Sequence, residues 1–391
     1  MRTGDEAQIA LIPTASADEA RFKAVKPLYP YVGGKTKMLA FIRNNIPEKF
    51  GNYFEPFLGG GAVALEMLRR YPDKVFYLSD YGEEVITTWK AVRDFPEEIV
   101  EELEEHRDRH SRDYFLSIRD WDRNGLLDLK TQYERAGRMI YLCTVSFGGG
   151  YKVGKDGNTK NTFGKDYFSP PIANIRLLSE LLNSRKIVFY NRDFKEAEGQ
   201  LRGGDFIYLD PPYATDSTDA EYTISDQYAK ADATQNITAQ VRWLMDLATD
   251  HGAYALMSNT STPTTERLWE GWHSITKSVV WSSGGVSKDG TRKTNKERMW
   301  ANLHLFRALA DQGHPVDELD DTDIELQTIA SEVESAHRAA GLAKVAEIAA
   351  KHRGEGSTER DLEIASSLEA LINRQTPDAS RTTPTEASVH L

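Results

Sequence analysis

Between Tyr53 and Asp80 the chain runs through a short apolar stretch, a glycine-rich turn, a helix-periodic stretch and a second apolar stretch. Tyr53–Phe57 is expected to be a buried strand, Ala62–Arg70 a helix and Lys74–Leu78 a strand ending at Ser79-Asp80. Two strands joined through a helix must run parallel, because a hairpin cannot make that crossover. A parallel sheet needs helices on both faces. This unit therefore commits the chain to an α/β architecture.

The remaining pattern extends that sheet. Helical spacing is read at Lys37–Asn45, closed by Pro47, and through residues 83–146, most clearly in Phe95–His106 and Tyr133–Val145. A glycine- and lysine-rich stretch, Phe147 to Phe168, interrupts it. Strand signals return at Lys186–Tyr190, Phe206–Leu209 and Tyr254–Met257, with an amphipathic helix at Ile237–Ala248. Ser282–Lys296 is polar and basic, and Met299–Phe306 is a last apolar run. Beyond Asp311 the chain is acidic and alanine-rich, with helical spacing at Leu326–Ala350 and Leu362–Ile372 and a disordered end expected from Thr376. The expected organisation is an arm over 1–26, a catalytic domain over 27–94 and 171–308, a helical insert over 95–170, and an acidic extension over 311–391.

The net charge of −12 is unevenly placed. Residues 311–391 hold 17 Asp/Glu against 7 Lys/Arg, and residues 205–235 hold 7 acids against Lys230 alone. The rest of the body is left mildly basic, so a polyanionic partner is compatible with the acidic total. No run is long enough to cross a bilayer, and the first residues carry acids rather than an apolar signal core, so a cytoplasmic protein is expected. The single Cys143 excludes an internal disulfide and a multi-cysteine metal site, and no metal is expected.

Two strand ends carry the chemistry. At the first, the turn Phe57-Leu58-Gly59-Gly60-Gly61 lets backbone approach a ligand, and the following helix start offers free N–H groups. Asp80, at the tip of the next strand, is placed to accept ribose hydroxyls. Gly59-x-Gly61-x-x-Ala64 with an acid some way downstream also fits a dinucleotide fingerprint. Tyr31-Val32-Gly33-Gly34-Lys35 and Glu55 tilt the reading toward S-adenosylmethionine: Lys35 suits the methionine carboxylate and Glu55 its ammonium group. A pyrophosphate has no use for an acid so close to the turn.

At the second strand end, Asp210-Pro211-Pro212-Tyr213 follows the apolar run Phe206–Leu209. An aromatic amine is a weak nucleophile because its lone pair is delocalised into the ring. A carboxylate at Asp210 and the Pro211 carbonyl are each suited to accept one N–H hydrogen, which turns the nitrogen toward tetrahedral and aims its lone pair. Pro211 and Pro212 stiffen the backbone, and Tyr213 stacks on the ring. A base in a duplex reaches such a pocket only by flipping out. Tyr222 and Tyr228, in the loop that follows, are candidates to close over it.

These motifs resemble the Dam-type, α-class DNA adenine-N6 methyltransferases from about Pro27 to Phe306. Pro30-Tyr31-Val32-Gly33-Gly34-Lys35 is similar to that family's Lys-Trp-Ala-Gly-Gly-Lys opening. Phe54–Gly61 is similar to its Glu-Pro-Phe-x-Gly-x-Gly donor motif, and Met257-Ser258-Asn259 to its Ser-Asn strand end. The resemblance implies a Rossmann-like fold with a mixed, mostly parallel seven-stranded sheet and a small helical target-recognition insert. It implies S-adenosylmethionine as cofactor, Asp193 and Phe194 as further donor-binding residues, and double-stranded DNA as partner, with a cognate restriction endonuclease as a candidate second one. It departs at Cys143–Gly150, where the family keeps Asn-Arg-x-Gly-Tyr/Phe-Asn-Gly-Leu; only the aromatic Phe147 and one glycine survive. Lys152 stands where a base-reading arginine is usual and lacks its planar fork. Adenine is implied as the target, but not a GATC site.

Lys155, Lys160 and Lys165, together with Lys288, Arg292, Lys293, Lys296 and Arg298, are candidate phosphate contacts. The readings left open are the same chemistry on cytosine-N4 or on RNA adenine, a nicotinamide dehydrogenase, and an inactive DNA-binding relative. The acidic extension lies outside the resemblance, and its partner is unassigned.

Overall fold

The computed structural model describes residues 20–31, 33–154, 156–212, 233–270, 272–280, 294–312 and 350. All but Ala350 belong to the unit formed by Met1–Val316. Its centre is a seven-stranded sheet in the order β3-β2-β1-β4-β5-β7-β6, numbered along the chain as β1 Tyr53–Glu55, β2 Val75–Asp80, β3 Lys186–Asn191, β4 Phe206–Leu209, β5 Tyr254–Thr260, β6 His273–Val280 and β7 Thr294–Ala301. Strands β1 to β5 pair in parallel, whereas β7 runs antiparallel to both β5 and β6. The sheet is thus mixed.

Both faces are covered, and the alternation of side chains shows how. Tyr53, Phe206 and Tyr208 point into a core shared with α2 (Ala62–Arg70) and α3 (Glu83–Asp94). Phe54, Ile207 and Leu209 point the other way, into a core shared with α8 (Ala233–Asp250). Because β4 has a covered face on each side, all four of its residues are apolar or aromatic and buried.

The segment between β2 and β3 is largely helical and packs on the same framework. Helices α4 (Pro96–Asp108), α5 (Arg112–Arg119) and α6 (Gln132–Val145) precede α7 (Ile172–Asn183); α6 packs on α3 and α4, and α7 on α3. Pro96 starts α4 where its missing N–H costs nothing, and Thr131 with Glu134 forms a reciprocal capping box on α6.

Several expected boundaries move, each for a local reason. Strand β1 stops at Glu55 because Pro56 has no N–H for the ladder and the chain bends into the glycine turn. Strand β2 keeps pairing through Ser79 and Asp80, which lie opposite Tyr190 and Asn191. The helix expected from Lys37 begins as a 3-10 turn at Lys35–Met38 and continues as α1, Leu39–Arg43. Strand β5 runs on to Thr260, and α8 is longer than read at both ends.

Helix α7, strand β6 and the short helix α9 (Pro263–Leu268) are additional to the expected elements. The apolar run Met299–Phe306 is two elements: the end of β7, then α10 (Leu303–Asp311), with the Asn302 side chain capping the helix by accepting from Leu305 N. Strand β7 also takes in Thr294–Lys296 from the stretch read as polar and basic. The expected helices at 326–350 and 362–372 and the tail from 376 lie outside the described residues, apart from Ala350. No described helix is long and apolar enough to cross a membrane.

Candidate active site

In an open α/β sheet the ligand crevice forms where neighbouring strands send their connections to opposite faces. Here that point lies between β1 and β4, which pair directly. The glycine turn leaves β1, and Asp210 leaves β4.

Asp210 is held from two sides through one oxygen. Lys35 Nζ donates to Asp210 Oδ1 at 2.7 Å, and Ser258 Oγ donates to the same atom at 3.3 Å. The Tyr208 hydroxyl lies 2.7 Å from Ser258 Oγ. Register explains the convergence: Tyr208 pairs with Leu256, so two residues on, on the same face, Ser258 stands beside Asp210. Lys35 is 2% exposed, donates also to the Gly33 carbonyl, and sits in a 3-10 turn just after the Gly33-Gly34 bend. Burial pushes the Asp210 carboxyl up; the Lys35 charge, its hydrogen bond and Ser258 oppose that rise. Pro211 is buried and Pro212 half-buried, while Tyr213, Tyr222 and Tyr228 lie outside the described residues.

On the donor side, Asp80 uses both oxygens on backbone. Its Oδ2 accepts from Gly59 N at 2.9 Å and its Oδ1 from Gly82 N at 2.8 Å. It is buried, and its carboxyl is pushed up to about 6 by desolvation, with both backbone bonds pulling down. The residue read as a ribose acceptor is therefore also the staple that shapes the turn. Glu55 accepts from the Tyr53 hydroxyl at 2.6 Å, and burial pushes its carboxyl up to about 8.

The glycines serve protein contacts as well as a turn. Gly59 and Gly61 have left-handed φ of 47° and 66°. A Cβ on Gly59 would stand 2.7 Å from the Tyr31 ring, and one on Gly61 would collide with the indole of Trp89. Trp89 Nε1 also donates to the Gly59 carbonyl at 3.1 Å. Trp89 is a turn-shaping residue that no local motif announced. Phe57 and Phe194 pack with ring centroids 5.0 Å apart, bringing the first strand end to the chain after β3, where Asp193 accepts from Lys195 N at 3.0 Å and caps a short 3-10 turn.

Lys35, expected on the donor's carboxylate, is bonded to Asp210 in this structure. The rest of the set fits a cationic nucleoside-type donor: three carboxylates (Glu55, Asp80, Asp193) for ammonium and hydroxyl groups, and two aromatic rings for a base.

Three of the candidate DNA-contacting residues, Phe147, Lys152 and Lys160, share one hairpin. Ser146 bridges to Phe163 and Val153 to Thr159, so residues 146–163 double back on themselves, and Lys160 N donates to Lys152 O at 2.7 Å. Buried Asn161 fastens this loop: its Nδ2 donates to Ser146 Oγ at 2.7 Å and Gly150 O at 2.8 Å, and its Oδ1 accepts from Lys152 N at 3.0 Å. Buried Arg138 donates to Asp122 Oδ2 at 2.9 Å, and that oxygen accepts from Thr159 N at 2.7 Å, tying the hairpin to α6. His110 joins the Tyr141 hydroxyl to the Lys165 carbonyl. Phe147 is 73% exposed and Tyr167 72%. Lys152 and Lys160 are exposed, Lys160 paired with Asp156 at 2.6 Å. Lys155, Lys288, Arg292 and Lys293 lie outside the described residues. Arg298 belongs to β7 and pairs with Glu266.

The sequence is similar to those of known proteins. Residues 31–281 match the model of the D12 class N6 adenine-specific DNA methyltransferase family. The type II methyltransferase M1.LlaDCHI of Lactococcus lactis subsp. cremoris is 32% identical over 252 residues, covering 63% of this chain and 85% of that protein. The type II methyltransferase M.MjaIII of Methanocaldococcus jannaschii is 30% identical over 285 residues, covering 68% and 96%. A DNA adenine methylase of Vibrio cholerae is 24% identical over 298 residues, covering 71% and 96%. The chain belongs to the D12 class of N6 adenine-specific DNA methyltransferases.

Proposed function

We propose that this chain is a Dam-type, site-specific DNA methyltransferase acting on an adenine flipped out of the duplex, with Asp210 and Pro211 as the groups that hold the reacting amine. The observation that carries the reading is the carboxylate of Asp210, fixed at the end of β4 by Lys35 and Ser258 beside the strand that bears the glycine turn.

S-adenosylmethionine supplies an electrophilic methyl group, and the chain's own residues supply the geometry. Asp210 accepts one N6 hydrogen and the Pro211 carbonyl the other, so the lone pair leaves the plane of the ring. No proton is removed beforehand; it leaves after transfer, with the Asp210 carboxylate as its first acceptor. Glu55 and Asp193 hold polar ends of the donor, Asp80 shapes Gly59–Gly61 while presenting its remaining lone pairs, and Phe57 and Phe194 flank a flat ring. Tyr213 stacks on the target base. Phe147, Lys152, Lys160 and Lys165 approach DNA from the insert, and residues 95–170 form the target-recognition part. Unpairing the base costs a few kcal/mol, which contacts along the basic hairpin offset.

The test is single-molecule sequencing of DNA from cells expressing the wild-type chain and Asp210→Ala. N6-methyladenine in one sequence context, absent with the variant, is expected. A wild-type level of methylation by Asp210→Ala removes the mechanism, and N4-methylcytosine alone removes the substrate.

A further inference from the structure

The Asp210 carboxylate is asymmetrically engaged. Oδ1 takes both the Lys35 and Ser258 bonds, at 2.7 and 3.3 Å, and Oδ2 has no partner among the described residues. A carboxylate anion only accepts, so Ser258 must donate to it; Ser258 Oγ in turn accepts from the Tyr208 hydroxyl, 2.7 Å away. Ser258 is fully buried, and its hydroxyl has those two partners. The Met257-Ser258-Asn259 motif marks the residue, but its place beside Asp210 comes from the β4–β5 register.

We propose that Ser258, oriented by Tyr208, is a positioning residue that together with Lys35 occupies Oδ1 of Asp210 and so presents Oδ2 to the substrate amine. This rests on the role of Asp210 given above. Two ligands on one oxygen set the rotation of the carboxyl plane, whereas Lys35 alone, on a flexible stem, fixes a distance but not a plane. The rotation decides whether the free oxygen faces an incoming N–H, and a misaligned hydrogen bond weakens steeply.

The other titratable groups facing Asp210 are Tyr31 from the loop before Lys35, Tyr53 and Glu55 on β1, and Tyr208 on β4; Glu297 on β7 faces Tyr208. Ser258 does not titrate, but its bond favours the ionised Asp210. Its loss therefore moves the acid limb of activity, which a purely structural defect would not do.

The experiment compares the full-length wild type, Ser258→Ala and Asp210→Asn for kcat, KM for DNA, the pH profile of kcat/KM, and donor affinity by calorimetry. Ser258→Ala is expected to lower kcat by roughly 10-fold, leave donor affinity unchanged and shift the acid limb to higher pH. The pair Ser258→Thr and Ser258→Val, equal in shape, isolates the hydroxyl if the alanine variant does not fold. Thr is expected to restore kcat and the limb, and Val is not. Equal behaviour of Thr and Val, or a wild-type limb in Ser258→Ala beside an inactive Asp210→Asn, overturns the proposal and leaves the role of Asp210 standing. Wild-type turnover by Asp210→Asn overturns both.

Discussion

Lys35 and Asp210 form a 2.7 Å ion pair that joins the turn before the first helix to the end of β4. Lys35 is almost wholly buried and Asp210 is one-fifth exposed, so solvent screens the pair weakly. The pair thus links the opening glycine motif to the end of β4, and the Lys35 charge opposes the burial that pushes the Asp210 carboxyl up.

Replacing Lys35 by Met removes the charge that opposes the burial of Asp210, so the carboxyl rises further and protonates at higher pH. Activity that depends on the anion should then be lost from the acid side first. The expected result is a larger deficit near about pH 6 than near about pH 9, read from initial rates of methyl incorporation. A deficit of constant size across that range would assign Lys35 to binding alone.

Glu55 has a folded-state carboxyl at about 8, above its ordinary value. The folded form therefore binds the extra proton between those values, and stability falls as pH rises through that window. The penalty is complete above about 8 and absent below the unfolded value. Glu55→Gln should match the wild type in unfolding free energy at acidic pH and exceed it in alkali, by up to a few kcal/mol, read from denaturant unfolding at each pH. Asp80, at about 6, contributes in the same direction over a lower window. A donor-saturated wild type should lose part of this dependence, since a bound cation favours ionised Glu55.

Gly61→Ala and Gly33→Ala separate two costs of a side chain at left-handed φ. Gly33, at 77°, has no heavy atom within 4 Å of an added Cβ, so only the backbone term applies, about 1–2 kcal/mol. Gly61, at 66°, adds a collision with the Trp89 indole. Its variant should unfold at lower denaturant by a further ~1–3 kcal/mol. Equal midpoints for the two would mean that Trp89 moves aside freely.

Asn161→Ala removes the side chain that ties together residues 146, 150 and 152. DNA affinity should fall about 10-fold or more while donor affinity stays constant, because the loop loses its shape and the donor residues lie on other elements. Parallel calorimetric titrations with donor and with duplex read the split; equal losses in both would point to general unfolding.

Salt dependence separates the roles of the exposed lysines. Lys152→Ala should lower the magnitude of the log–log salt slope of DNA binding by about 1 if it neutralises a phosphate. Lys160, already paired with Asp156, should lower it less.

Much of this molecule is legible in local pattern. The strand–turn–helix–strand unit at 53–80 declares itself because burial on both faces demands continuous apolar runs, and a glycine turn has few alternatives. Asp210-Pro211-Pro212 is readable for the same reason: it ends a run that can only be an inner strand. Helix α7 is not announced at its start, because Pro171 stands at its N-cap and offers no capping side chain. Strand β6 carries a weak signal because His273–Val280 mixes polar and apolar residues on a strand that, among the described strands, pairs with β7 alone.

The amino-acid order by itself determined the α/β class, the two strand ends that carry chemistry, and the kinds of group available there. It did so because turn conformation and amphipathic period are set by neighbours in the chain. Only the tertiary structure decided that Lys35 serves Asp210, that Asp80 staples Gly59, that Trp89 fills the space above Gly61, and that Ser258 stands beside Asp210. Those pairings depend on strand order and register, which arise when remote segments bury one another's apolar faces, and no local spacing encodes that.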